Sequence, residues 1–453
     1  MRALLLLLLA LCASAGCGNE WTRIVLITLD SLRYDSFAGS AERGSAMPRT
    51  SEIAAKGTRF EQFYASTSSA QPTQATIFTG LHPWHHGVTR NGVILEEAHR
   101  TFPERLRRAG FATAAVVGSF ELHPSFGYAQ GFDQFHDQLE IDIEGRHSFH
   151  DVPLGDNGFY SLADSVTQTA LAVLEGLRGE RQFVWVHYFD PHGPYGDAAG
   201  LDESLSTPRL LSMAESGHPE IREAVREAHR LYERDVTSLD EALVRLLRRL
   251  LQDAEQVTTH VLVASNHGES FGEAGSIGHD TRVTREQIHV PCFVLSPAIE
   301  PGRRADVAGS INLAPTILAL AGLGQTGLSG RDLARRPRGG RGFAFGMRQT
   351  YEERQLRPNL SGRPEVLEGN RFYAVVDRVI FAGDRQGVAA ADASEVAVAP
   401  AISGALKQLF AHFEAQLEGW AAELAGYDAS STRSASKTES GSVEITYGST
   451  PRL

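Results

Sequence analysis

Short apolar runs alternate with amphipathic stretches along the first two thirds of this chain of 453 residues. Five runs show the near-continuous apolar pattern of strands that are buried on both faces: "RIVLITL" (23–29), "FATAAVV" (111–117), "QFVWVHYF" (182–189), "HVLVAS" (260–265) and "HVPCFVL" (289–295). Between the runs, helical periodicity covers 47–57, 100–110, 161–179 and 219–252. This alternation predicts an α/β fold with a mostly parallel central sheet flanked by helices.

The pattern changes after residue 330. "RGFAFGMRQ" and "NRFYAVVDRVIFAGD" predict short, exposed antiparallel strands, and 401–424 predicts a closing amphipathic helix. The end of the chain is rich in Ser and Thr and predicts disorder. We therefore expect four segments: a signal segment at 1–17, a main domain at 18–330, a small C-terminal α+β subdomain at 331–426 and a disordered tail at 427–453.

The first residues have the pattern of an export signal. "MRALLLLLLALCASAGC" carries one positive charge, an apolar run too short for a comfortable membrane span, and small residues before Cys17. The segment resembles a bacterial lipoprotein signal, in which Cys17 is lipidated and becomes the first residue of the mature protein. Plain secretion after cleavage near Ala15 or Gly16 is the alternative. Both predict export to the bacterial cell envelope, and the first predicts attachment through lipid alone, facing the periplasm or the cell surface.

The net charge limits the classes of binding partner, and the cysteine content limits the disulfide bonds that the chain can form. The formal net charge of -12 argues against a nucleic-acid partner, because no basic surface would offset the repulsion from phosphate groups. Of the three cysteines, only Cys292 lies in the predicted folded body, so no disulfide framework is expected.

Four polar segments fall at, or directly after, the carboxyl ends of predicted strands, where the sites of parallel sheets gather. They are "LITLDSLRYD", which contains Asp30, "AQPTQATIFTGLHPWHHGVTRNG" (70–92), "HYFDPHGPY" (187–195) and "ASNHGESFGEAGSIGHD" (264–280). Taken singly, Asp30 would be a turn or helix cap, and His267 or His279 a structural histidine. The convergence of all four segments on one edge of the sheet favours a functional site.

In their order and spacing these segments resemble the sulfatase family of the alkaline-phosphatase-like fold. The similarity extends through "GFATAAVVGSF", "GYAQGFDQF" and "SINLAPTILALAGL", and is greatest to the branch whose opening motif is Asp-Thr-Leu-Arg. The resemblance implies a divalent cation, commonly Ca²⁺, and a formylglycine nucleophile made from Cys or Ser. It also implies Lys and His residues on the sulfate oxygens. A hard cation and positive donors would offset the negative charge of the ester.

Carried over residue by residue, the resemblance assigns the metal site to Asp30, Ser31, Asn266 and His267. Asn266 stands where the family usually has Asp, so Asp30 is the one clear carboxylate of the four. Hard cations draw much of their affinity from ligand charge. We therefore expect weak binding of a divalent metal, with Ca²⁺ as the expected ion, or help from another carboxylate such as Asp280.

The resemblance assigns anion binding to Thr73, Arg90, Asn91, His192 and His279. His192 and His279 match positions that contact the anion or the leaving group, and they are the candidate catalytic residues. Arg90 and Asn91 lie in "TRNG", which is equally typical of a simple turn.

The nucleophile position is the main departure from the family. Aligning Pro72 and Ala75 with the proline and alanine of the family's turn places Ala70 on the nucleophile. A methyl group cannot attack, ligate a metal or become formylglycine, so no formylglycine is expected. Ser69 is one residue out of register. The helix predicted by "PTQATIFTG" would still present backbone amides to an anion.

Three functions remain open at this stage. The chain could be an active hydrolase of sulfate or phosphate esters that uses metal-bound water. It could instead be a binding protein for sulfated or phosphorylated glycans or small esters, or a scaffold without a ligand. Familial formylglycine chemistry at position 70 is excluded.

Overall fold

The computed structural model describes residues 21–40, 43–143, 145–196, 205–253, 257–280 and 284–336, together with four strands between 343 and 390. The predicted signal segment, the helix predicted at 401–424 and the tail lie outside these residues. The predicted boundaries of the two domains stay predictions.

The described strands and helices follow the predicted alternation. The strands are β1 (Thr22–Leu29), β2 (Thr58–Phe60), β3 (Phe63–Tyr64), β4 (Ala112–Val117), β5 (Gln134–His136), β6 (Ser148–Phe149), β7 (Val152–Pro153), β8 (Arg181–Tyr188), β9 (Thr258–Ser265), β10 (Ser270–Phe271), β11 (Ile277–Gly278), β12 (Cys292–Leu295), β13 (Gly302–Arg304), β14 (Ala308–Gly309), β15 (Phe343–Gln349), β16 (Asn370–Val376), β17 (Val379–Asp384) and β18 (Gly387–Ala390). The helices are α1 (Tyr34–Ala38), α2 (Pro48–Ala54), α3 (Ala70–Thr79), α4 (Pro83–His86), α5 (Phe102–Arg108), α6 (Ala163–Gly176), α7 (Thr207–Glu215), α8 (Ile221–Gln252), α9 (Arg285–Ile288) and α10 (Leu313–Leu320).

The central sheet has eight strands in the order β13-β2-β12-β9-β1-β8-β4-β5. Within this sheet, β12 runs antiparallel to its neighbours β9 and β2, and the other pairings are parallel. The predicted α/β class with a mostly parallel sheet is confirmed. The short strands β2, β5 and β13 were not predicted, because three residues are too few to establish a hydrophobic pattern.

Both faces of the sheet are buried, which explains the continuous apolar runs. Along β1, Ile24 and Leu26 pack into one hydrophobic cluster with residues of α3, α5 and α10. The alternate residues Val25 and Ile27 pack into a second cluster with residues of α6 and α8. Because successive side chains of a strand point to opposite faces, a strand covered on both sides needs an apolar residue at every position.

The C-terminal strands β15, β16, β17 and β18 form an antiparallel sheet in chain order. This confirms the antiparallel strands predicted in "RGFAFGMRQ" and "NRFYAVVDRVIFAGD". Among the described residues, none of the helices combines the length and the apolar character that a membrane span requires.

Helix α5 begins with a capping box, which gives a first prediction. The Thr101 hydroxyl accepts a hydrogen bond from the Glu104 amide at 3.4 Å, and the Glu104 carboxylate accepts one from the Thr101 amide at 2.8 Å. We expect Thr101→Ala to lower the free energy of unfolding by about 1 kcal/mol, measured by urea denaturation, because the cap is lost. Ser206 precedes α7 without a side-chain cap. Ser206→Ala is the matched control, and an equal loss in both variants would contradict the prediction.

Candidate functional site

The predicted site residues meet at the carboxyl edge of the central sheet. The parallel register pairs Leu29, the last residue of β1, with Tyr188 of β8 and Ser265 of β9. Asp30 and Asn266 therefore follow two adjacent strands at the same height. We call this group of side chains the edge site. It comprises Asp30, His187, His192, Asn266, His267, Glu269, His279 and the first turn of α3.

A hydroxyl group from helix α8 holds the loop after β1. Tyr232 of α8 donates its hydroxyl proton to the Ser31 carbonyl oxygen and accepts a hydrogen bond from the Arg33 amide, both at 3.0 Å. Ser31 adopts a positive φ of 53°, which is uncommon outside glycine. Its hydroxyl donates to Asp30 Oδ1 at 3.3 Å. This fixes Asp30 at the end of its strand, fully buried.

Two imidazoles face the Asp30 carboxylate. His267 Nε2 lies 3.1 Å from Asp30 Oδ1, and His187 Nε2 lies 3.4 Å from Asp30 Oδ2. Neither contact has the angles of a hydrogen bond, and all three groups are buried. Burial alone would raise the pKa of Asp30, but the two imidazoles outweigh it and hold that pKa well below its usual range.

Neighbouring groups determine the protonation of the two rings. His267 Nδ1 lies 3.0 Å from the Gly268 carbonyl oxygen, so Nδ1 carries a proton. Thr28 Oγ1 accepts a hydrogen bond from Trp185 Nε1 and lies 2.9 Å from His187 Nδ1. We assign the Thr28 proton to that contact, which leaves the His187 proton on Nε2, toward Asp30. His187 was not among the predicted site residues, because it lies within an apolar strand pattern.

The orientation of the Asn266 amide decides what this residue offers the site. Its Oδ1 accepts hydrogen bonds from the backbone amides of His267, at 2.7 Å, and Ser31, at 3.4 Å. Its Nδ2 is buried and makes no hydrogen bond. Rotating the amide would place an NH₂ group against two N–H donors. Asn266 therefore presents two N–H donors, and no oxygen, to the remaining space.

His279 carries a positive charge at the edge site. Its Nδ1 lies 3.1 Å from Glu269 Oε1, and the Tyr195 hydroxyl donates to Glu269 Oε2 at 3.0 Å. Burial opposes protonation of His279, but the Glu269 charge prevails and raises the pKa of His279 to about 10. The sequence predicted His279 but not Glu269, which is fully buried and whose pKa the same pair lowers.

His192 lies beside this pair but stays neutral. Its ring stacks on Phe189 with ring centroids 4.4 Å apart, and its centroid lies 4.9 Å from that of His279. Burial, together with the charge of His279, lowers the pKa of His192 to about 4. Its Nδ1 lies 2.5 Å from the Gly193 carbonyl oxygen, which places its proton there. His192 Nε2 is therefore a proton acceptor.

The first turn of α3 is more fully hydrogen-bonded than the sequence suggested. The Gln71 amide donates to Asn91 Oδ1 at 3.1 Å, and the Thr73 amide bonds back to the Ser69 carbonyl oxygen at 3.4 Å. Pro72 has no N–H group. Of the first four residues of α3, only Ala70 has a backbone amide that remains available to an anion. The helix start therefore offers fewer amide donors than the sequence predicted.

Thr73, Asn91 and Ser69 have structural partners in this turn. The Thr73 hydroxyl lies 3.0 Å from the Thr67 hydroxyl and accepts from the Thr67 amide at 3.2 Å. Asn91 caps Gln71, as described above. The Ser69 hydroxyl donates to Asp280, the carboxylate suggested as an extra metal ligand. The anion-binding roles of Thr73 and Asn91 stay predictions, as does that of the half-buried Arg90.

Two further residues at this edge were not among the predicted site residues. Gln74 lies one helical turn after Ala70, on the same face of α3, and both polar atoms of its buried side chain lack a hydrogen-bond partner. Glu121 follows the carboxyl end of β4, and burial together with the charge of Asp30 raises its pKa to about 8. Its position after a parallel strand was the available signal.

The edge site offers few oxygen ligands to the calcium ion that the resemblance implies. Calcium takes six to eight oxygen ligands, whereas Asn266 presents N–H groups and Asp30 faces two imidazoles. Among the described residues, no group of three or more His, Cys, Asp or Glu side chains has an arrangement that could hold a metal. The donor set does not fit a calcium ion. Calcium binding stays a prediction of the resemblance.

The sheet order and the polar cluster at its carboxyl edge place the chain in the alkaline-phosphatase-like class of α/β proteins. The sequence profile of the family described as Sulfatase matches residues 22–323, well over half of the chain. The chain therefore belongs to the sulfatase family.

Two curated relatives show the range of similarity. The chain is 24% identical over 332 residues to the ulvan-active sulfatase of Formosa agariphila. The aligned region covers 69% of this chain and 64% of that protein. It is 23% identical over 346 residues to the choline-sulfatase of Rhizobium meliloti, and the aligned region covers 66% of this chain and 67% of that protein. The chain thus spans about two thirds of the length of these relatives.

Solved structures support the same fold. A protein in complex with its substrate D-glucosamine-2-N,6-O-disulfate matches with a TM-score of 0.66 at 19% identity, covering 88% of this chain and 98% of that one. The phosphonate monoester hydrolase of Silicibacter pomeroyi matches with a TM-score of 0.64 at 19% identity, covering 94% of this chain and 100% of that one.

Proposed function

We propose that this chain binds sulfate or phosphate esters at the edge site and does not hydrolyse them by the formylglycine route. The observation that carries the proposal is that hydrogen-bond donors gather at the edge site, whereas the nucleophile position holds the methyl group of Ala70. Ala70, which the resemblance aligns with the nucleophile, offers no reactive atom. On the same side of the sheet are the protonated His279 and the unpartnered amides of Asn266 and Gln74.

These donors suit an oxyanion. Hydrogen bonds from charged or buried donors to an anion are roughly twice as strong as those between neutral groups. The unpartnered side-chain amides of Asn266 and Gln74 destabilise the free protein, since each buried polar group without a partner lowers the free energy of unfolding by about 1 to 3 kcal/mol. A bound ester that accepts hydrogen bonds from Asn266 and Gln74 would remove this penalty.

The substrate class and the location follow by similarity and remain part of the proposal. The relatives named above are an ulvan-active sulfatase and a choline-sulfatase, and one structural neighbour is a phosphonate monoester hydrolase. We infer a sulfated or phosphorylated glycan, or a small ester, as the ligand of this chain. Export and lipid attachment at Cys17 would place the edge site in the bacterial cell envelope.

Binding and turnover are to be measured on the mature protein from Gly18 onward. We expect phenyl sulfate or phenyl phosphate to bind with a dissociation constant of roughly 1 mM or lower by calorimetry, which corresponds to about 4 kcal/mol or more. Gln74→Leu is expected to weaken binding about tenfold, because a donor is lost. Thr79, at the far end of α3, bonds the Ala75 carbonyl oxygen, so Thr79→Ser serves as the control.

The same preparation is then incubated with para-nitrophenyl sulfate and phosphate, with and without Ca²⁺, Mg²⁺, Mn²⁺ or Zn²⁺. We expect no release of nitrophenol above the level of an Asp30→Ala variant. Release that requires the metal and vanishes in Asp30→Ala would instead establish a hydrolase that uses water. If the chain neither bound the esters nor released nitrophenol, the result would favour a scaffold without a ligand.

A further inference from the structure

Apolar side chains are exposed at the amino edge of the central sheet, where the parallel strands begin, opposite the edge site. Among the described residues, three large apolar side chains are exposed, and two of them lie at this edge. Trp21 directly precedes β1 and is 44% exposed, and Leu251, near the end of α8, is 36% exposed. The Trp21 carbonyl oxygen accepts a hydrogen bond from the Thr258 amide at 2.9 Å, which fixes its backbone at the start of the sheet.

An ion pair holds the end of α8 against the start of β1. Arg23 Nη1 donates to Asp253 Oδ2 at 2.8 Å, and the Asp253 carbonyl oxygen accepts a hydrogen bond from the Val257 amide at 2.9 Å. Arg23 follows Trp21 by two residues, and Asp253 follows Leu251 by two residues. The two exposed apolar side chains therefore belong to one surface of the molecule.

A basic groove continues this surface between α2 and the end of α8. The groove has a volume of about 300 Å³, and its lining includes Arg49, Glu52, Lys56, Arg248 and Leu251. Among the ion pairs and hydrogen bonds of the described residues, none involves the exposed side chains of Lys56 and Arg248. Arg49 pairs with Glu241 at 3.1 Å. With Glu52 and Glu241 set against the three basic residues, the groove keeps a positive charge on a chain whose net charge is -12. We call this groove, together with Trp21, the amino surface.

The lipid attachment proposed above would bring the amino surface next to a bilayer. Trp21 is the fourth residue after Cys17, and four residues span at most about 14 Å even when fully extended. Tryptophan is enriched at the boundary between the hydrocarbon core and the headgroups, and Lys and Arg are attracted to anionic lipids. The amino surface combines these residue types at the point where the chain would leave the membrane.

We propose that the amino surface docks on the anionic headgroups of the membrane. Trp21 and Leu251 lie at the interface. Lys56 and Arg248 contact lipid phosphates. The choice of a membrane as the occupant rests on the lipid attachment proposed for Cys17. The edge site lies at the other end of β1, whose eight residues span roughly 26 Å. Docking would therefore direct the edge site away from the bilayer, toward esters in the surrounding solution.

The test is the sedimentation of the protein from Gly18 onward with lipid vesicles. We expect partition into phosphatidylcholine vesicles that contain about 30% phosphatidylglycerol to exceed partition into pure phosphatidylcholine vesicles at least about tenfold. Lys56→Gln and Arg248→Gln should each lower this partition about fivefold, because each removes one basic contact. Trp21→Ala should lower it about fivefold as well, because the apolar area that leaves water is reduced.

Two matched variants control for general losses of charge and apolar area. Arg222 is an exposed residue at the start of α8, about 39 Å from Arg248 along the helix axis. Ile94 is 44% exposed, like Trp21, but it follows Gly92, whose amide donates to the Gln71 side chain beside the edge site. Arg222→Gln and Ile94→Ala should change the partition less than about twofold.

Fluorescence quenching measures whether Trp21 reaches the lipid. Lipids that carry bromine on their acyl chains quench a tryptophan at the interface, whereas Trp84 and Trp185 are buried in the protein. Trp21→Phe keeps an aromatic ring for docking, so this variant should still bind the vesicles. Most of the quenching seen in wild type should be lost in Trp21→Phe.

Four results would overturn the proposal. They are no partition into any vesicle, equal partition into neutral and anionic vesicles, equal losses in Arg222→Gln and Arg248→Gln, and equal quenching in wild type and Trp21→Phe. Calorimetry with glycerol phosphate tests a dissolved anion as the occupant. A dissociation constant below about 1 mM that Arg248→Gln weakens would also overturn membrane docking.

The proposed function is tested separately on the same variants. Phenyl sulfate binding should be unchanged in Lys56→Gln, Arg248→Gln and Trp21→Ala, because these residues lie outside the edge site. Vesicle docking without phenyl sulfate binding would overturn the function of the edge site and support the amino surface. Mass spectrometry that found no lipid on Cys17, with vesicle docking intact, would overturn the lipid attachment and leave the amino surface as the membrane contact.

Discussion

Replacing His279 by leucine is expected to lower the free energy of unfolding by about 3 to 5 kcal/mol and to abolish ester binding. Glu269 is fully buried, and His279 is its charged partner at 3.1 Å. Without the imidazolium, the hydrogen bond from Tyr195 is the one that the described residues still provide to the Glu269 carboxylate. A buried charge that loses its partner is strongly destabilising, and the edge site loses its main positive charge. Urea denaturation and calorimetry with phenyl sulfate measure the two effects.

Two further variants distinguish charge from packing. In His279→Leu with Glu269→Leu the unpaired charge is gone, so most of the stability should return while ester binding stays lost. His192→Leu, at a neutral neighbouring ring, should cost less than about 2 kcal/mol. If His279→Leu were no less stable than His192→Leu, the predicted contribution of the buried His279–Glu269 ion pair to stability would be contradicted.

The pH dependence of stability follows from the same pair. The folded pKa of His279, raised by Glu269 to about 10, exceeds the usual value of 6.5. Its contribution is therefore fully present below about pH 6.5 and is lost as the pH rises through about 10. The pKa of Glu269 is lowered from 4.5, so its contribution is fully present above about pH 4.5 and is lost in acid. We expect the stability that wild type has over His279→Leu to be greatest between these limits.

Replacing Asn266 by aspartate is expected to raise the affinity of the edge site for calcium. In the natural chain Oδ1 accepts both backbone amides and Nδ2 faces the site. In the variant the second atom becomes an oxygen beside Asp30, so two carboxylates share one space. Without calcium their repulsion should lower the free energy of unfolding by about 1 to 3 kcal/mol. With about 10 mM calcium, and a dissociation constant of about 0.1 to 1 mM, about 1.5 to 3 kcal/mol should return.

Thermal unfolding with calcium and with a chelator measures this effect. Asn312 provides the matched control, because its Oδ1 also accepts a backbone amide, from Gly309, while its Nδ2 already has a partner in the Arg331 carbonyl oxygen. Asn312→Asp should be destabilised without a response to calcium. A calcium response in the natural chain equal to that of Asn266→Asp would contradict the orientation of the amide described here.

These expectations separate the family from the function. Membership of the sulfatase family establishes the fold, and the structure brings Asp30, His267 and His279 together at one edge of the sheet. It does not establish turnover, because a fold carries many chemistries and the reacting groups decide among them. At this edge site the side chains offer donors for an oxyanion.

The sequence by itself determined the architecture and the location of the site. Strands buried on both faces require continuous apolar runs, and the five runs from "RIVLITL" to "HVPCFVL" predict β1, β4, β8, β9 and β12 of the central sheet. Polar segments after those runs located the edge site, because the carboxyl ends of parallel strands meet at one edge.

Only the tertiary structure decided which atoms face the ligand space. His187 reaches Asp30 through the pairing of β1 with β8, and the Asn266 amide orients on a backbone amide 235 residues away. The side chain of Gln71, from α3, holds the backbone of Glu121, 50 residues away in the chain. Hydrophobic periodicity depends on near neighbours in the chain, whereas protonation, amide orientation and charge pairing depend on groups that meet only after folding. The pattern therefore predicts where a site lies, and the packed structure decides which chemistry it can perform.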